Sequence, residues 1–500
     1  MNSSPERFLA ALALAIAALS SMGDGNAAAV IDQPLAARMT EAPGSAQPVL
    51  IRMATARPDH AMRLLAPGAE RPMHLAALLR SHAGQSQRDL LAWLDDRGLT
   101  ARSFWLGNLI RLEATPELIT LIAQRDDVAS ILLDRPWPQQ LPTPDGEPLA
   151  MPRAVEPSLT HIGVPQVWQA GVRGNGVVIA GQDTGYQWDH PALRSSYRGW
   201  DGATADHDYH WHDSIHALIG GGSNSCGLDV SAPCDDGSHG THTMGTMVGD
   251  DGGNNQIGIA PEARWIGCRN MEEGDGTPST YTECFQWFIE PTRVDGSDPD
   301  ASMAPHVINN SWGCPPSEGC TPAEILLMED VVDSVRAAGI LVVASAGNSG
   351  SSCGSIDTPP GMYASSFALG ATGATSDGIA NFSSRGPTPD NLLEPDVTAP
   401  GVSIRSSVTG NGYGSSSGTS MAGPHVAGVA ALLMSADPAL RRDPGAVEAI
   451  LRETAVPLPS NQDCGTFLGV TIPNATFGHG RIDAFAAFLA ADTMFAHDFE

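Results

Sequence analysis

From about residue 154 to residue 490, short apolar runs alternate with helical patterns, and this alternation limits the fold more than any other feature of the chain. Val177-Val178-Ile179-Ala180 reads as a buried strand, Val307-Ile308 as part of another, and Ile340 to Ala344 as a third. Between the last two, Pro322 to Ala338 is helical, with Ile325, Leu326, Val331, Val332 and Val335 repeating on one side. Residues 420–434 form a further apolar helix. Strands alternating with helices imply a mainly parallel sheet flanked by helices, an α/β domain. Functional residues in such a sheet collect at the carboxyl ends of the strands. No internal repeat is visible.

Upstream, residues 48–134 read as a small α+β unit. Pro48 to Met53 is a strand, Asp89 to Asp96 continues a helical pattern, and Phe104 to Leu112 returns to strand character. Thr115-Pro116 then opens a second helix, with Thr as N-cap and Pro at the first helical position. Val128 to Leu133 closes the unit. The order fits a split-βαβ (ferredoxin-like) fold, with its two middle strands hard to separate. Six prolines between 136 and 152 then mark 135–157 as an extended, exposed linker that is easily nicked. The expected organisation is a signal peptide over 1–29, the small unit and its lead-in over 30–134, the linker, the main domain over 158–490 and a short tail over 491–500.

The first segment reads as an export signal: Arg7, an apolar run from Phe8 to Leu19, then small residues ending in Ala27-Ala28-Ala29. The run falls short of the roughly 20 residues that span a bilayer. Eight cysteines, all at or beyond Cys226, suggest four disulfides in an oxidising compartment. Cys226–Cys234 and Cys314–Cys320 suit local loops; the other pairings stay open among 105. No paired CxxC spacing suggests structural zinc.

All 27 basic residues are Arg. The absence of Lys excludes a P-loop, a pyridoxal Schiff base and a Ser-Lys dyad. Residues 154–500 carry 40 acidic residues against 13 Arg, most of the net charge of −29. Such a field repels nucleic acid and acidic membranes.

Four local motifs carry chemistry. Asp183, in Gln182-Asp183-Thr184-Gly185, ends the first strand, where an acid can orient an imidazole. Asp-Thr-Gly also marks aspartic proteases, but these need two such carboxylates and this chain has one. His239, in Ser238-His239-Gly240-Thr241-His242, offers a general base; His239 and His242 could instead bind metal, although no third ligand is in register. Ser420, in Gly418-Thr419-Ser420-Met421-Ala422-Gly423-Pro424-His425, would sit at a helix start, with Pro424 in the first turn. An ordinary Ser-rich cap is the plain alternative. Asn348, in Ala346-Gly347-Asn348-Ser349-Gly350, is either a turn residue or an oxyanion donor.

Together the four motifs, in the order Asp, His, Ser, resemble the subtilase family over about 160–490. Further matching pieces are Asn310-Ser311-Trp312-Gly313, Ser384-Arg385-Gly386-Pro387, Pro395-Asp396-Val397-Thr398-Ala399-Pro400-Gly401 and Gly478-His479-Gly480-Arg481-Ile482-Asp483. The long insertions and Cys268-Arg269-Asn270-Met271 look like bacillopeptidase F-like members. The resemblance implies a subtilisin-type serine endopeptidase acting on proteins, with Ser420 as nucleophile, His239 as base and Asp183 as its orienter. It implies an oxyanion hole from Asn348 and the Ser420 amide. Substrate would lie along Ser311, Trp312 and Gly313 on one side and Ser345, Ala346 and Gly347 on the other, with Trp312 narrowing a subsite. Residues 48–134 resemble the accompanying propeptide, implying a secreted, monomeric zymogen whose own N-terminal unit serves as chaperone and inhibitor, without nucleic-acid or membrane partners. No cofactor is required by this chemistry. Asn254-Asn255-Gln256-Ile257-Gly258 resembles the start of a family calcium loop, but Ile259-Ala260-Pro261 follows too soon; structural calcium elsewhere is left without an assignable residue. A non-catalytic exported binding protein on the same scaffold would require loss of a triad member, a sedolisin-like acid peptidase would use Glu as base, and an unrelated secreted esterase would lack this motif order.

Overall fold

A computed structural model describes residues 29–58, 61–62, 64–65, 68–139, 141–142, 155–220 and 224–497. The expected signal peptide and most of the proline-rich linker lie outside them.

The N-terminal unit begins with strand β1 (Val30–Ile31) and helix α1 (Gln33–Glu41), neither of which the sequence pattern announced. Strand β2 (Gln47–Met53) follows, then helices α2 (Arg71–Ser86) and α3 (Arg88–Asp95). The region read as one strand is two, β3 (Arg102–Phe104) and β4 (Leu109–Ala114). A tight turn over Leu106–Asn108 divides them, with Gly107 at φ 71° and Asn108 at φ 54°. Helix α4 (Pro116–Ala123) starts at Thr115, whose hydroxyl accepts from Leu118 N–H, and β5 (Val128–Leu133) closes the sheet. Its order is β1-β5-β2-β4-β3, antiparallel except for β1 against β5.

The start of the linker is anchored at Trp137, with Pro136 and Pro138 exposed on either side of it. Strand β6 (Trp137–Pro138) pairs later in the chain with β10 (Asp275–Gly276). Trp137 is fully buried, stacks on Tyr281 at 5.5 Å and donates its indole N–H to Glu324. An indole carries far more apolar surface than a linker can leave in water.

The main domain opens with α5 (Pro157–His161) and α6 (Val164–Gln169). Its sheet contains β7 (Val178–Asp183), β8 (Trp211–Asp213), β9 (Arg264–Arg269), β11 (Val307–Asn310), β12 (Leu341–Ser345), β13 (Phe367–Gly373), β14 (Ser376–Ile379) and β15 (Val397–Val402). The strand order is β14-β13-β12-β11-β7-β9-β8, with β15 also on β13. Every pairing is parallel except β13 with β14. A separate hairpin joins β16 (Ile404–Val408) and β17 (Gly412–Ser416).

Helices cover both faces, so the central strands are buried on both, apolar at their starts and polar only toward their carboxyl ends, as at Gln182-Asp183 and Asn309-Asn310. On one face lie α7 (His239–Val248) and α10 (Thr419–Ala436), followed by α11 (Pro444–Glu453) and α12 (Ala484–His497). Helix α10 is buried on every side from Thr419 to Met434, which explains its lack of a polar face. Helix α12 runs past 490, so residues 491–497 continue it instead of forming a separate tail.

The other face carries α8 (Pro278–Ile289) and α9 (Pro322–Ala337). Here the N-terminal unit docks. Leu75, Leu79, Phe104 and Leu106 share one core with Phe285, Phe288, Val331 and Val335. Burial of each such side chain contributes about 1.5–3 kcal/mol. The Gln286 side-chain oxygen accepts from the N–H groups of Trp105 and Leu106, and Asp134 accepts from Ser279 at the start of α8. A carboxylate is favoured there because the helix N-terminus presents unpaired N–H groups.

All eight cysteines are paired: Cys226–Cys234, Cys268–Cys284, Cys314–Cys320 and Cys353–Cys464. The two local loops are among them.

Candidate active site

The site is assembled at the carboxyl edge of three adjacent strands. Asp183 is the last residue of β7, and Ser311 follows the last residue of β11. These strands are in register, with Gln182 opposite Asn310, so Asp183 and Ser311 leave the sheet side by side. Beyond β11, strand β12 delivers Ser345 and the turn that carries Asn348.

Asp183 is 1% exposed. Its Oδ1 lies 2.7 Å from His239 Nδ1 and also accepts the Thr184 N–H at 2.8 Å. An ionised carboxylate only accepts, so Nδ1 carries the proton and Nε2 presents its lone pair. His239 begins α7, with Ser238 before it in the left-handed region at φ 62°. Burial opposes the imidazolium, but attraction and hydrogen bonding to Asp183, with help from Asp235, outweigh it and raise the His239 pKa. Nε2 has no hydrogen-bond partner among the described residues. The Asp–His half of the expected triad is therefore formed, and the Ser420–His239 hydrogen bond is not. Such bonds are often long before substrate binds.

Ser420 is the second residue of α10 and 5% exposed. Pro424 lies inside the helix, in its second turn, not in the first as the sequence suggested. A proline has no N–H to give the carbonyl four residues earlier. That carbonyl belongs to Ser420, and the Ser311 hydroxyl donates to it at 3.1 Å. The same bond ties α10 to the end of β11, the strand beside Asp183.

Asn348 is fixed through its oxygen. Its Oδ1 accepts from both the N–H and the hydroxyl of Thr419, each at 2.9 Å. The side-chain NH₂ is thereby left as a donor next to the start of α10, where the first N–H groups lack intrahelical partners. Two sets of N–H donors converging on one spot can hold a developing oxyanion.

A cleft of about 120 Å³ runs past Ser420 and Asn348. Ser311, Trp312, Gly313, Ser345 and Gly347 line it, as anticipated. Ala346 does not: it is fully buried in the core and its N–H bonds to Leu369. Trp312 is 3% exposed and stacks on Tyr281 at 4.1 Å, so most of its ring is committed to the core. Gly313 has to be glycine, because a Cβ there would fall 2.3 Å from Thr358 Oγ1. A larger cavity of about 390 Å³, under the N-terminal unit between Arg57, Arg71 and Asp333, shares no residue with this cleft.

Three features escaped the sequence reading. First, half-buried Asp235 packs against both motifs. Its Oδ1 accepts from the Thr184 hydroxyl at 2.7 Å and from the N–H groups of Gly237 and Ser238, and its Oδ2 accepts the Thr241 N–H at 2.9 Å. Burial raises its pKa despite these bonds. An Asp two residues ahead of a Gly-Ser-His turn was the available signal. Second, Gln139 of the linker places its amide on Gly313, accepting from its N–H at 2.9 Å and donating to its carbonyl. Leu141 and Pro142 continue along the cleft. Third, Glu318 and Thr358 complete the cleft wall. Nothing local in the sequence marks either one.

The suspected calcium loop is held by its own side chains: Asp251 accepts from Gly253 and Asn255. Among the described residues no group of three or more His, Cys, Asp and Glu is arranged to hold a metal. His242 Nε2 meets the Ile404 carbonyl at 2.9 Å. No helix among the described residues is long and apolar enough to cross a membrane.

A family model described as the subtilase family matches residues 174–480. Bacillopeptidase F of Bacillus subtilis is 37% identical over 435 residues, covering 82% of this chain and 28% of that protein. Subtilisin E of the same organism is 33% identical over 289 residues, 57% of this chain and 62% of that protein. M-protease of Shouchella clausii is 31% identical over 295 residues, 59% of this chain and 63% of that protein. The chain thus spans little more than a quarter of bacillopeptidase F and under two thirds of the two others.

Proposed function

The chain belongs to the subtilase family, and on that footing we propose that it is a secreted serine endopeptidase made as a self-processing zymogen. The observation that carries the reading is the buried Asp183–His239 hydrogen bond, which leaves Nε2 unpartnered at the sheet edge shared with Ser420 and Asn348.

In this reading a peptide enters as an extended strand along Ser311-Trp312-Gly313 and meets Ser345 and Gly347 opposite. Main-chain pairing of this kind is strand addition. Ser420 Oγ attacks the scissile carbonyl while His239 Nε2 takes its proton. Asp183 holds the imidazole in the required tautomer and stabilises its charge. The oxyanion forms between the Asn348 NH₂ and the Ser420 N–H. On collapse, His239 returns the proton to the leaving amine and the acyl group stays on Ser420. Water, deprotonated by the same imidazole, releases it. No cofactor takes part, and any structural calcium remains unassigned.

Residues 30–134, with a core over 48–134, serve as intramolecular chaperone and inhibitor. The split-βαβ order of the unit and its docking on α8 and α9 support this role. The linker supports it further: Gln139 caps Gly313 where a substrate backbone would pair. Cleavage within 135–157 releases the unit. Export through residues 1–29 suits the four disulfides, and the released enzyme works as a monomer on protein substrates.

The test compares the wild-type chain with Ser420→Ala, each expressed whole in a host lacking extracellular proteases. Wild type accumulates as a shortened form that hydrolyses casein. Ser420→Ala stays full length and inactive. A shortened, casein-hydrolysing Ser420→Ala protein would refute the reading.

A further inference from the structure

The wall of the cleft beside the nucleophile contains an acid that nothing in the site neutralises. Glu318 sits on the loop closed by Cys314–Cys320, immediately after the Ser311-Trp312-Gly313 edge, and lines the cleft with Ser345, Gly347, Asn348, Thr358 and Ser420. Its carboxylate makes no hydrogen bond or ion pair among the described residues. A second carboxylate stands nearby. Asp357 directly precedes the wall residue Thr358, and its Oδ1 is buried without a partner. A third polar atom lies in the same wall: Ser345 is 5% exposed and its hydroxyl is unpartnered.

Glu318 is half-buried, whereas Asp357 Oδ1 and the Ser345 hydroxyl are buried and unpartnered, and such groups are costly unless a ligand completes them. Here the missing complement is a donor with positive charge. The cleft also holds Asn348 and Ser420, so the side chain that enters it belongs to the residue whose carbonyl is attacked. We propose that Glu318 and Asp357 are specificity-determining residues, and that the pocket selects a cationic side chain, Arg or Lys, immediately before the scissile bond. This rests on the endopeptidase reading above and adds its substrate class.

Two further observations agree. Burial, with repulsion from Asp357, raises the Glu318 pKa, and burial raises that of Asp357. No basic group acts on either strongly enough to offset this. Among the described residues the linker, moreover, brings Gln139, Leu141 and Pro142 into the cleft and no cation. It occupies the space without meeting the charge, which suits an inhibitor that has to leave. Arg135 is close by, but its guanidinium is committed to Glu324 and the Gly319 carbonyl.

The experiment uses the processed enzyme obtained from the whole chain and a set of peptide amide substrates differing only in the residue before the scissile bond: Arg, Lys, Gln, Leu, Phe and Glu. Arg and Lys substrates are cleaved with kcat/KM at least about tenfold above the Gln substrate, consistent with one partly screened charge pair. Glu318→Gln and Asp357→Asn each reduce kcat/KM for Arg and Lys substrates several-fold and leave the Leu substrate nearly unchanged. Retained cleavage of the Leu substrate shows that a variant is folded. The preference also declines as pH falls, because both carboxylates become neutral below their raised pKa values. Cleavage of Leu or Phe substrates in preference to Arg, unaffected by either substitution, overturns this inference and leaves the endopeptidase reading standing. Failure to cleave any substrate overturns both.

Discussion

At the scale of single residues, the proposed chemistry depends on how one imidazole is held. The Asp183 carboxylate fixes the proton on Nδ1 and raises the His239 pKa against the effect of burial. Only neutral His239 can accept the Ser420 proton. Activity is therefore full above the raised His239 pKa and falls as pH drops through it. Asp183→Asn removes the charge, so the acid limb of the kcat/KM profile moves to lower pH. The same change permits the wrong tautomer and lowers kcat by about 10⁴, the magnitude typical of such a substitution in a serine protease triad. Asn348→Ala should cost about 10²–10³ in kcat, the loss known for an oxyanion donor in a subtilisin. A second residue-level consequence follows from Pro424. Because proline leaves the Ser420 carbonyl without a helical donor, Ser311→Ala orphans a buried acceptor. Chemical denaturation should show a loss of about 1–3 kcal/mol. The four motif residues were legible because each stands in a short local pattern of Gly, Ser, Thr and His that the sequence itself displays. Asp235, Gln139 and Glu318 were not. Gln139 meets Gly313, Asp235 meets Thr184 and Glu318 reaches the cleft wall only through the fold, and none sits in a motif that chemistry alone would demand.

At the scale of elements, the sheet strands and the long helices were readable from apolar runs. The ends of α9 and α10 fell within two residues of expectation because Thr321-Pro322 and Gly418-Thr419 punctuate them. What failed was short or tertiary in origin. The β3–β4 turn depends on Leu106, Gly107 and Asn108 within an otherwise apolar run, and a positive φ is not visible in hydrophobicity. Strand β6 has two residues and exists because Trp137 finds a pocket beside Tyr281 and Glu324. The prolines around it argued against a long strand, and Pro136 and Pro138 are exposed, whereas Trp137 between them is buried. Long-range cysteine pairing was also unreadable, since Cys353 and Cys464 are 111 residues apart. That bond ties the segment just after Asn348 to the loop around Gln462, which itself holds Arg385. Replacing both cysteines by serine should cost about 2–4 kcal/mol. Thermal unfolding of the processed enzyme checks this, and an unchanged midpoint would contradict it.

At the scale of the whole molecule, the uneven charge read from the sequence has a structural counterpart. Four Arg of the N-terminal unit and one of the linker reach acids of the main domain: Arg52 and Arg57 meet Asp330, Arg57 also meets Asp333, Arg80 meets Glu290, Arg102 meets Glu283, and Arg135 of the linker meets Glu324. In each pair the cation comes from the N-terminal side. Several are part-exposed, so each contributes no more than about 1 kcal/mol and is weakened by salt. The apolar core between α2, α8 and α9 supplies the rest. Raising NaCl from about 0.15 M to about 1 M cuts the screening length from about 8 Å to about 3 Å. The lag before full proteolytic activity should shorten several-fold, and an unchanged or longer lag would show that the interface charges do not hold the unit in place.

The proposed mechanism places covalent chemistry on Ser420, activated through His239. Incubating the processed enzyme with a serine-directed phosphonate and mapping its peptides by mass spectrometry addresses it directly. The added mass should appear on the peptide containing Thr419-Ser420-Met421, with a labelling rate that rises with pH through the His239 ionisation, and it should be absent from Ser420→Ala. Label on a different residue, or equal labelling of Ser420→Ala, would contradict the account.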